Sequence, residues 1–313
     1  MMPALQPHEG FEDCFPRPRR WALRAWRFLA WPVLGWLGLP RVLLVETRWR
    51  LGDEIMALPV VAALRSRYPK ARVHVWTNHP ELFTLSKLNV VINEQPSAVH
   101  RHLSLRGACR RVERREAYAR AAGIDRPGET PCIFPPPPGP AIAARLPAGE
   151  GPLVALCSGA GWPSKRWSPE NWTALASALK DAGCRIIQLG ADDDTPIPGV
   201  DVCLLGQTSL TEAAQMLRAC RLLIACDSGL MHLALAADVP VVALFGPTDP
   251  AFLSDSPRLY PVVSPRECAG FWNHAAAPPP PGVCACGFGS CLAEVSVAMV
   301  IERAQVLLSL DKF

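Results

Sequence analysis

Three loops of the sequence combine charged side chains with glycine in patterns that suit group-transfer chemistry. Asp53 stands at the start of a helical pattern, where a carboxylate can act as a general base. Lys165 follows a glycine-rich turn, so its compact cation can meet a phosphate group. Asp227 ends a buried strand pattern, and Ser228 and Gly229 open the helix that follows. Because amide N–H groups at a helix start attract anions, the loops together predict a phosphorylated substrate.

Each loop also has an ordinary structural interpretation. Asp53 and Asp227 are residue types that cap helices well, and His232 suits a core position. The 158–167 loop is not a Walker A loop, because no Gly-Lys-Ser/Thr stands at the required spacing. The run Asp192-Asp193-Asp194 fits either a metal-binding DxD motif or a solvated turn. Taken singly, none of these loops identifies a function.

The elements that must position these loops alternate between strand and helix patterns. The run 41–46 predicts a strand, and the apolar spacing of 53–68 predicts a helix. A second alternation occupies 153–246, and 293–310 predicts a closing helix. The proline-rich stretch 131–152 has no periodicity and predicts a linker. This order predicts an α/β protein with two parallel sheets, a cleft between them, and ligands at the carboxyl ends of the strands.

We therefore expect four segments. They are a basic, Trp-rich leader at 1–40, a first domain at 41–135, a linker at 136–152 and a second domain at 153–313. The leader places five arginines and four tryptophans in 17–40, around an apolar stretch too short to span a bilayer. Such an amphipathic segment suits the headgroup region of an inner leaflet. Packing of the leader on the protein body is the alternative, and a signal anchor is a third interpretation.

Charge and cysteine usage narrow the functional class. Residues 97–120 carry seven arginines and two glutamates, and 106–122 predicts an arginine-rich helix. Basic patches on a chain of net charge +4, without a zinc-finger or RNP signature, favour an anionic surface or substrate over nucleic acid. Five of the 12 cysteines lie in or beside apolar runs, as expected for free thiols in a reducing cytoplasm: Cys157, Cys184, Cys203, Cys220 and Cys226.

Four stretches carry a resemblance when they are taken together. They are Arg-Val-Leu-Leu-Val…Leu-Gly-Asp-Glu-Ile-Met-Ala-Leu-Pro at 41–59, Trp-Pro-Ser-Lys-Arg-Trp at 162–167, Asp-Ser-Gly-Leu-Met-His-Leu-Ala at 227–234, and Leu-Phe-Gly-Pro-Thr-Asp-Pro at 244–250. In this order the chain resembles glycosyltransferase family 9, the ADP-heptose:lipopolysaccharide heptosyltransferases. The resemblance is dense over 151–250, clear over 41–77 and weak elsewhere.

The resemblance implies a GT-B fold, with an acceptor domain, a nucleotide-sugar domain and inverting, metal-independent chemistry in the cleft. It implies that Asp53 is the catalytic base and that Lys165 meets the donor diphosphate. It further implies that ADP-heptose is the donor and that no cofactor is required. The donor-binding residues that it implies are Ser158, Gly159, Lys165, Asp192, Asp227, Ser228, Gly229 and His232. The acceptor, an anionic glycolipid or oligosaccharide, is expected to meet Arg48, Arg50, Arg110 and Arg114.

Two features depart from the family. No further strand–helix unit with acceptor contacts is evident after Ile92, so the first domain is expected to be shortened. Four cysteines near the end of the chain have spacings unlike those of usual zinc sites: Cys268, Cys284, Cys286 and Cys291. Reduced thiols and a metal site are the two alternative interpretations of this cluster.

Four hypotheses follow. The leading one is a sugar transferase for lipopolysaccharide core or another surface glycan. The others are an autotransporter-type protein heptosyltransferase, a non-catalytic nucleotide-sugar-binding protein, and a GT-B-like epimerase.

Overall fold

In a computed structural model, the chain forms two parallel β-sheets with helices packed around them. The structure describes residues 30–37, 41–105, 113–127, 132–274, 283 and 291–308. Strand–helix–strand connections place parallel strands side by side, as the alternating sequence pattern predicts.

The first sheet has the strand order β3-β2-β1-β4, with all neighbours parallel. Its strands are β1 Val42–Glu46, β2 Arg72–Trp76, β3 Val91–Ile92 and β4 Arg101–Ser104. Its helices are α1 Leu51–Arg67, α2 Pro80–Leu85 and α3 Arg114–Ala122.

The second sheet has the order β10-β9-β8-β5-β6-β7, and all its neighbouring strands are again parallel. Its strands are β5 Leu153–Cys157, β6 Arg185–Gln188, β7 Val202–Cys203, β8 Leu222–Cys226, β9 Val241–Phe245 and β10 Leu259–Val263. The remaining helices are α4 Pro140–Ala143, α5 Pro169–Asp181, α6 Leu210–Ala219, α7 Gly229–Ala236, α8 Phe271–His274 and α9 Val297–Leu308.

Burial and capping explain these elements. Every residue of β5, β8 and β9 is buried, as central strands covered by helices on both faces require. Ser168 caps α5 through its side chain, and Ser209 with Glu212 forms a capping box at α6. The capping residues Ser168 and Ser209 therefore fix where α5 and α6 begin.

The two halves meet where α1 packs against α7. A β-carbon on Gly52 would lie 2.7 Å from the His232 ring, and one on Gly229 would lie 2.9 Å from the Leu51 side chain. Larger residues at either position would separate the two helix starts. The close approach brings the first turns of α1 and α7 together at the base of the cleft.

One sequence prediction needs correction. The arginine-rich region contains a strand, β4, that pairs with β1, and the described part of the predicted 106–122 helix begins only at Arg114. The charged residues of this region obscured the strand pattern. The position of β4 depends on pairing with β1, which is distant in sequence. At the start of the proline-rich stretch, Ile133 is buried in the core and the Cys132 N–H donates to Ala236 C=O at 2.9 Å, so these residues pack against the protein body.

Candidate active site

A cavity of about 1210 Å³ opens at the carboxyl ends of both sheets. The β1–α1 turn lines one side of it, with Asn78 and Arg114. The turns after β5, β6 and β8 line the other side. Since strands of a parallel sheet end at one edge, loops far apart in sequence converge there.

Asp53 lies in the first turn of α1, and α3 supplies its neighbours. Arg114 Nε lies 3.1 Å from Asp53 Oδ1, and the Tyr118 hydroxyl donates to the same oxygen at 3.5 Å. Burial raises the pKa of the Asp53 carboxyl above its ordinary value, while Arg114, Arg50 and Lys165 oppose the shift. A carboxylate with a raised pKa is a stronger base than an exposed one, which suits proton abstraction.

Lys165 and Asp227 form an ion pair in the second domain. Lys165 Nζ lies 2.5 Å from Asp227 Oδ2, and the Thr248 hydroxyl donates to that oxygen at 2.6 Å. Burial alone would raise the pKa of the Asp227 carboxyl, but Lys165, His232 and Thr248 hold it below the ordinary value. Asp227 is therefore an anion that already has partners.

The start of α7 completes this side. The Ser228 side chain caps the helix by accepting from Met231 N–H, and both Ser228 and Gly229 line the cavity. His232 also lines it, although only 4% of its surface is exposed. Burial lowers the His232 pKa to about 4, so the ring is neutral near pH 7. The structure thus brings Asp53, Lys165 and the α7 start to one cavity.

Two predicted donor residues do not line the cavity. The Ser158 hydroxyl donates to Thr195 C=O at 3.0 Å and accepts from Gln188 Nε2 at 3.1 Å, so it holds the loop after β6. Asp192 packs against Gly206 instead. Asp193, Asp194 and Gly159 line the cavity in their neighbourhood. Residue type alone could not show which aspartate of the run faces inward.

The predicted acceptor arginines have different surroundings. The Arg48 guanidinium lies over the Trp76 ring, 5.0 Å from its centroid. Arg50 Nη1 would lie 3.0 Å from a β-carbon on Gly161, so this arginine of the first domain reaches the glycine turn of the second. Arg110 lies outside the described residues.

Several side chains at the cavity carry no role in the sequence prediction, among them Trp162, Thr248, Trp272 and Asn273. Trp162 and Thr248 stand inside the quoted motifs, which offered a signal. Trp272 and Asn273 have no local pattern that would have revealed them.

The cysteine tail is only partly described. Cys284 and Cys286 lie outside the described residues, and Cys291 is fully buried beside Gly246. Within the described ranges, no group of three or more His, Cys, Asp or Glu residues could hold a metal ion.

Most of the leader, residues 1–29 and 38–40, also lies outside the described residues. Residues 30–36 are helical, and Trp31 packs edge-on against Tyr68 with ring centroids 5.0 Å apart. Val33, Trp36 and Leu37 are exposed, Trp36 to 86%. In the part of the chain that the structure describes, no helix has the length and apolarity needed to cross a membrane.

Comparison with known sequences gives a family match. The sequence model of "Glycosyltransferase family 9 (heptosyltransferase)" matches residues 111–269. Lipooligosaccharide heptosyltransferase 2 of Haemophilus influenzae is 35% identical over 118 residues, 33% of this chain and 34% of the relative. "Inactive autotransporter heptosyltransferase BimC" of Burkholderia thailandensis is 33% identical over 134 residues, 41% of this chain and 31% of the relative. The matches span about a third of these relatives' length.

Comparison with solved structures gives the fold. The dodecameric, iron-containing glycosyltransferase TibC of enterotoxigenic E. coli H10407 superposes with a TM-score of 0.70 at 19% identity, covering 85% of this chain and 78% of TibC. A second TibC structure, in complex with ADP-D-beta-D-heptose, gives a TM-score of 0.69. Together with the two parallel sheets, these similarities confirm the predicted GT-B fold.

Proposed function

The chain belongs to glycosyltransferase family 9, and from that premise we propose that it moves heptose, or a similar sugar, from ADP-heptose to an acceptor of the lipopolysaccharide core or another surface glycan. One observation carries the proposal. Asp53 of the first domain and Lys165 of the second line the same cavity, and the Lys165 charge acts on the Asp53 carboxyl. A base and a cation on opposite walls are what a single displacement at an anomeric carbon requires.

The proposed step inverts the sugar carbon. An acceptor oxygen forms a bond to the anomeric carbon while the bond from that carbon to the diphosphate oxygen breaks. The acceptor proton goes to the Asp53 carboxylate, and ADP leaves. Lys165 and the amides at the start of α7 meet the charge that develops on the diphosphate, so no metal or other cofactor is needed. Asp227, with Ser228 and Gly229 beside it, holds the sugar and phosphate end of the donor.

Arg50 takes a different place in this proposal from the other arginines. Because its guanidinium reaches the glycine turn at Gly161, it adds a cation from the first domain to the diphosphate site. Arg48 and Arg114 remain on the acceptor side, where anionic groups of a glycolipid or oligosaccharide meet them. We assign Arg110 to the acceptor side as well, on the basis of the sequence alone, because it lies outside the described residues. We assign the acidic contact nearest the donor to Asp194 instead of Asp192, because Asp194 contacts Gly159.

We also propose that the leader rests on the cytoplasmic face of the inner membrane. Val33, Trp36 and Leu37 are exposed on one short helical segment that Trp31 ties to the body. Arginines precede this segment in sequence, so an anionic leaflet would attract it. Sedimentation with anionic and neutral vesicles tests the idea, because Trp36→Ser should release the protein from anionic vesicles. Equal binding by both forms contradicts it.

A donor screen followed by a transfer assay tests the main proposal. ADP sugars should raise the unfolding temperature more than UDP, GDP or CMP sugars, since a ligand present at about 100 Kd stabilises by about 2.7 kcal/mol. ADP release should then depend on an added acceptor glycan. Asp53→Asn should abolish release and keep ADP binding, whereas Asp125→Asn, an exposed carboxylate away from the cavity, should change neither.

A non-catalytic role is the second candidate, because one similar relative is described as inactive. In that case the protein would bind ADP-heptose without releasing ADP in the presence of any acceptor. Core oligosaccharides and autotransporter passenger segments should be offered separately, because the relative BimC is named an autotransporter heptosyltransferase. Metal analysis of the purified protein tests the tail cysteines, and iron or zinc near one equivalent would contradict a metal-free protein.

A further inference from the structure

One turn of 3-10 helix places Trp162 beside Lys165. Residues Pro163–Lys165 form the turn, and the Lys165 N–H donates to the Trp162 C=O at 3.0 Å. Side chains three residues apart eclipse in a 3-10 helix, so the indole and the lysine stem leave the backbone on the same side. Lys165 Nζ accordingly lies 4.2 Å from the centroid of the Trp162 ring.

The Lys165 ammonium is therefore held from two directions. Asp227 Oδ2 lies 2.5 Å from Nζ on one side, and the face of the Trp162 ring lies on another. The negative face of an indole attracts a cation, most strongly where water is excluded. A lysine side chain has a long, flexible stem, so one ion pair alone would leave it several rotamers. The ring face removes part of that freedom.

Trp162 is itself braced by a residue far along the chain. Its ring centroid lies 4.8 Å from that of Trp272, at an interplanar angle of 65°. Trp272 sits in the short helix α8, and its N–H donates to Pro247 C=O at 2.9 Å. The Gly270 N–H donates to Gly246 C=O at 2.8 Å, which ties the same segment to the end of β9. A continuous set of contacts thus runs from β9 to the Lys165 ammonium.

We propose that Trp162, braced by Trp272, is a positioning residue for Lys165. The inference deepens the proposed function and rests on it, because the role of Lys165 at the diphosphate belongs to that proposal. When the donor binds, Asp227 divides its oxygens between Lys165 and the sugar hydroxyls. The Trp162 face then keeps the ammonium at the diphosphate, where charge grows as the bond to the sugar breaks.

The position of the Lys165 side chain can be measured by NMR, without an activity assay. The chain has only five lysines, namely Lys70, Lys87, Lys165, Lys180 and Lys312. In protein labelled with 13C at the lysine ε-carbons, protons above an aromatic face resonate upfield of those of solvated lysines. Lys165→Arg assigns the signal by its loss. We expect an upfield Lys165 signal that moves to the solvated position in Trp162→Leu and moves part of the way in Trp272→Leu.

Kinetics then test what the position does. We expect Trp162→Leu to lower kcat/KM about tenfold, mainly through kcat, and to change the ADP dissociation constant less than about threefold. Trp162→Phe should recover most of the loss, because phenylalanine also offers an aromatic face. A merely structural tryptophan would lower stability without this division between kcat and ADP binding.

Lys87 and Phe134 supply a matched control. Lys87 Nζ lies 5.5 Å from the Phe134 ring centroid, and Phe134 is 47% exposed and does not line the cavity. Phe134→Leu should move only the Lys87 signal and leave kcat unchanged. A Lys165 signal that stays in place in Trp162→Leu overturns the inference, and so does an unchanged kcat/KM in that variant. If the wild-type protein transfers no sugar, the proposed function fails, whereas the NMR signals still decide whether Trp162 positions Lys165.

Discussion

The Arg114 guanidinium lies 3.1 Å from the Asp53 carboxylate, measured from Nε to Oδ1. The two residues come from different helices, α3 and α1, and Tyr118 contacts Asp53 from the next turn of α3. Burial of the Asp53 carboxyl favours its neutral form, while the guanidinium favours the ionised form. The availability of this carboxylate as a base therefore depends on α3.

Replacing Arg114 should move the pH dependence of transfer. The base must be ionised, so activity falls as pH drops through the Asp53 pKa, which burial holds above 3.8. Arg114→Gln removes a cation that lowers this pKa, so the acidic limb of kcat/KM should shift to higher pH. Arg120→Gln is the control, because Arg120 is exposed on the same helix and pairs with Glu116. A limb that stays in place in Arg114→Gln would mean that another group limits the rate.

Gly159→Ala should weaken donor binding. A β-carbon there would lie 2.1 Å from both Asp194 carboxylate oxygens, so the loop after β6 would have to move. We expect the ADP dissociation constant to rise about tenfold, equivalent to about 1.4 kcal/mol. Gly139→Ala is the matched control, since no atom beyond its two chain neighbours lies within 4 Å of its β-carbon position. Calorimetric titration with ADP measures both variants, and equal affinities would contradict the expectation.

Glu54→Gln should destabilise the first domain in a pH-dependent way. The buried carboxylate accepts hydrogen bonds from Thr77 Oγ1, from Asn78 N–H at 3.0 Å and from Trp49 N–H at 2.9 Å. Burial opposes ionisation, but His79, Thr77 and these amides hold the Glu54 pKa below 4.5. A lowered folded-state pKa gives stability that is present above the unfolded value and is lost as pH falls.

Urea unfolding measures this effect. We expect Glu54→Gln to cost about 1–3 kcal/mol near neutral pH, and the difference from wild type to shrink as the buffer is acidified below the unfolded-state pKa. Glu81→Gln serves as the control, because Glu81 is exposed at the start of α2. A cost that is independent of pH would show that the charge of Glu54 does not matter.

Ser158→Ala separates a structural role from donor contact. Its hydroxyl joins Gln188 and the Thr195 carbonyl, so its loss should lower the free energy of unfolding by about 1 kcal/mol. We expect ADP affinity to stay within about twofold of wild type, because Ser158 does not line the cavity. A large loss of affinity at unchanged stability would return Ser158 to the donor site.

The strand–turn–helix order, the two parallel sheets and the family were predictable from local patterns. Hydrophobic periodicity marked β1, β5, β8 and β9, and the motif loops followed these strands as parallel topology requires. Strand β4 escaped prediction because three of its four residues, Arg101, His102 and Ser104, carry polar side chains, and because the strand gains its place by pairing with β1. The burial of Ile133 likewise has no local signal.

The sequence by itself determined which side chains stand at the ends of the strands, since periodicity and turn residues act over a few neighbours along the chain. Only the tertiary structure decided their partners. It placed Arg114 and Tyr118 on Asp53, turned Ser158 toward Gln188, and packed Trp272 against Trp162. These pairs join segments about 30 to 110 residues apart, so they depend on how whole elements pack, which no short pattern encodes.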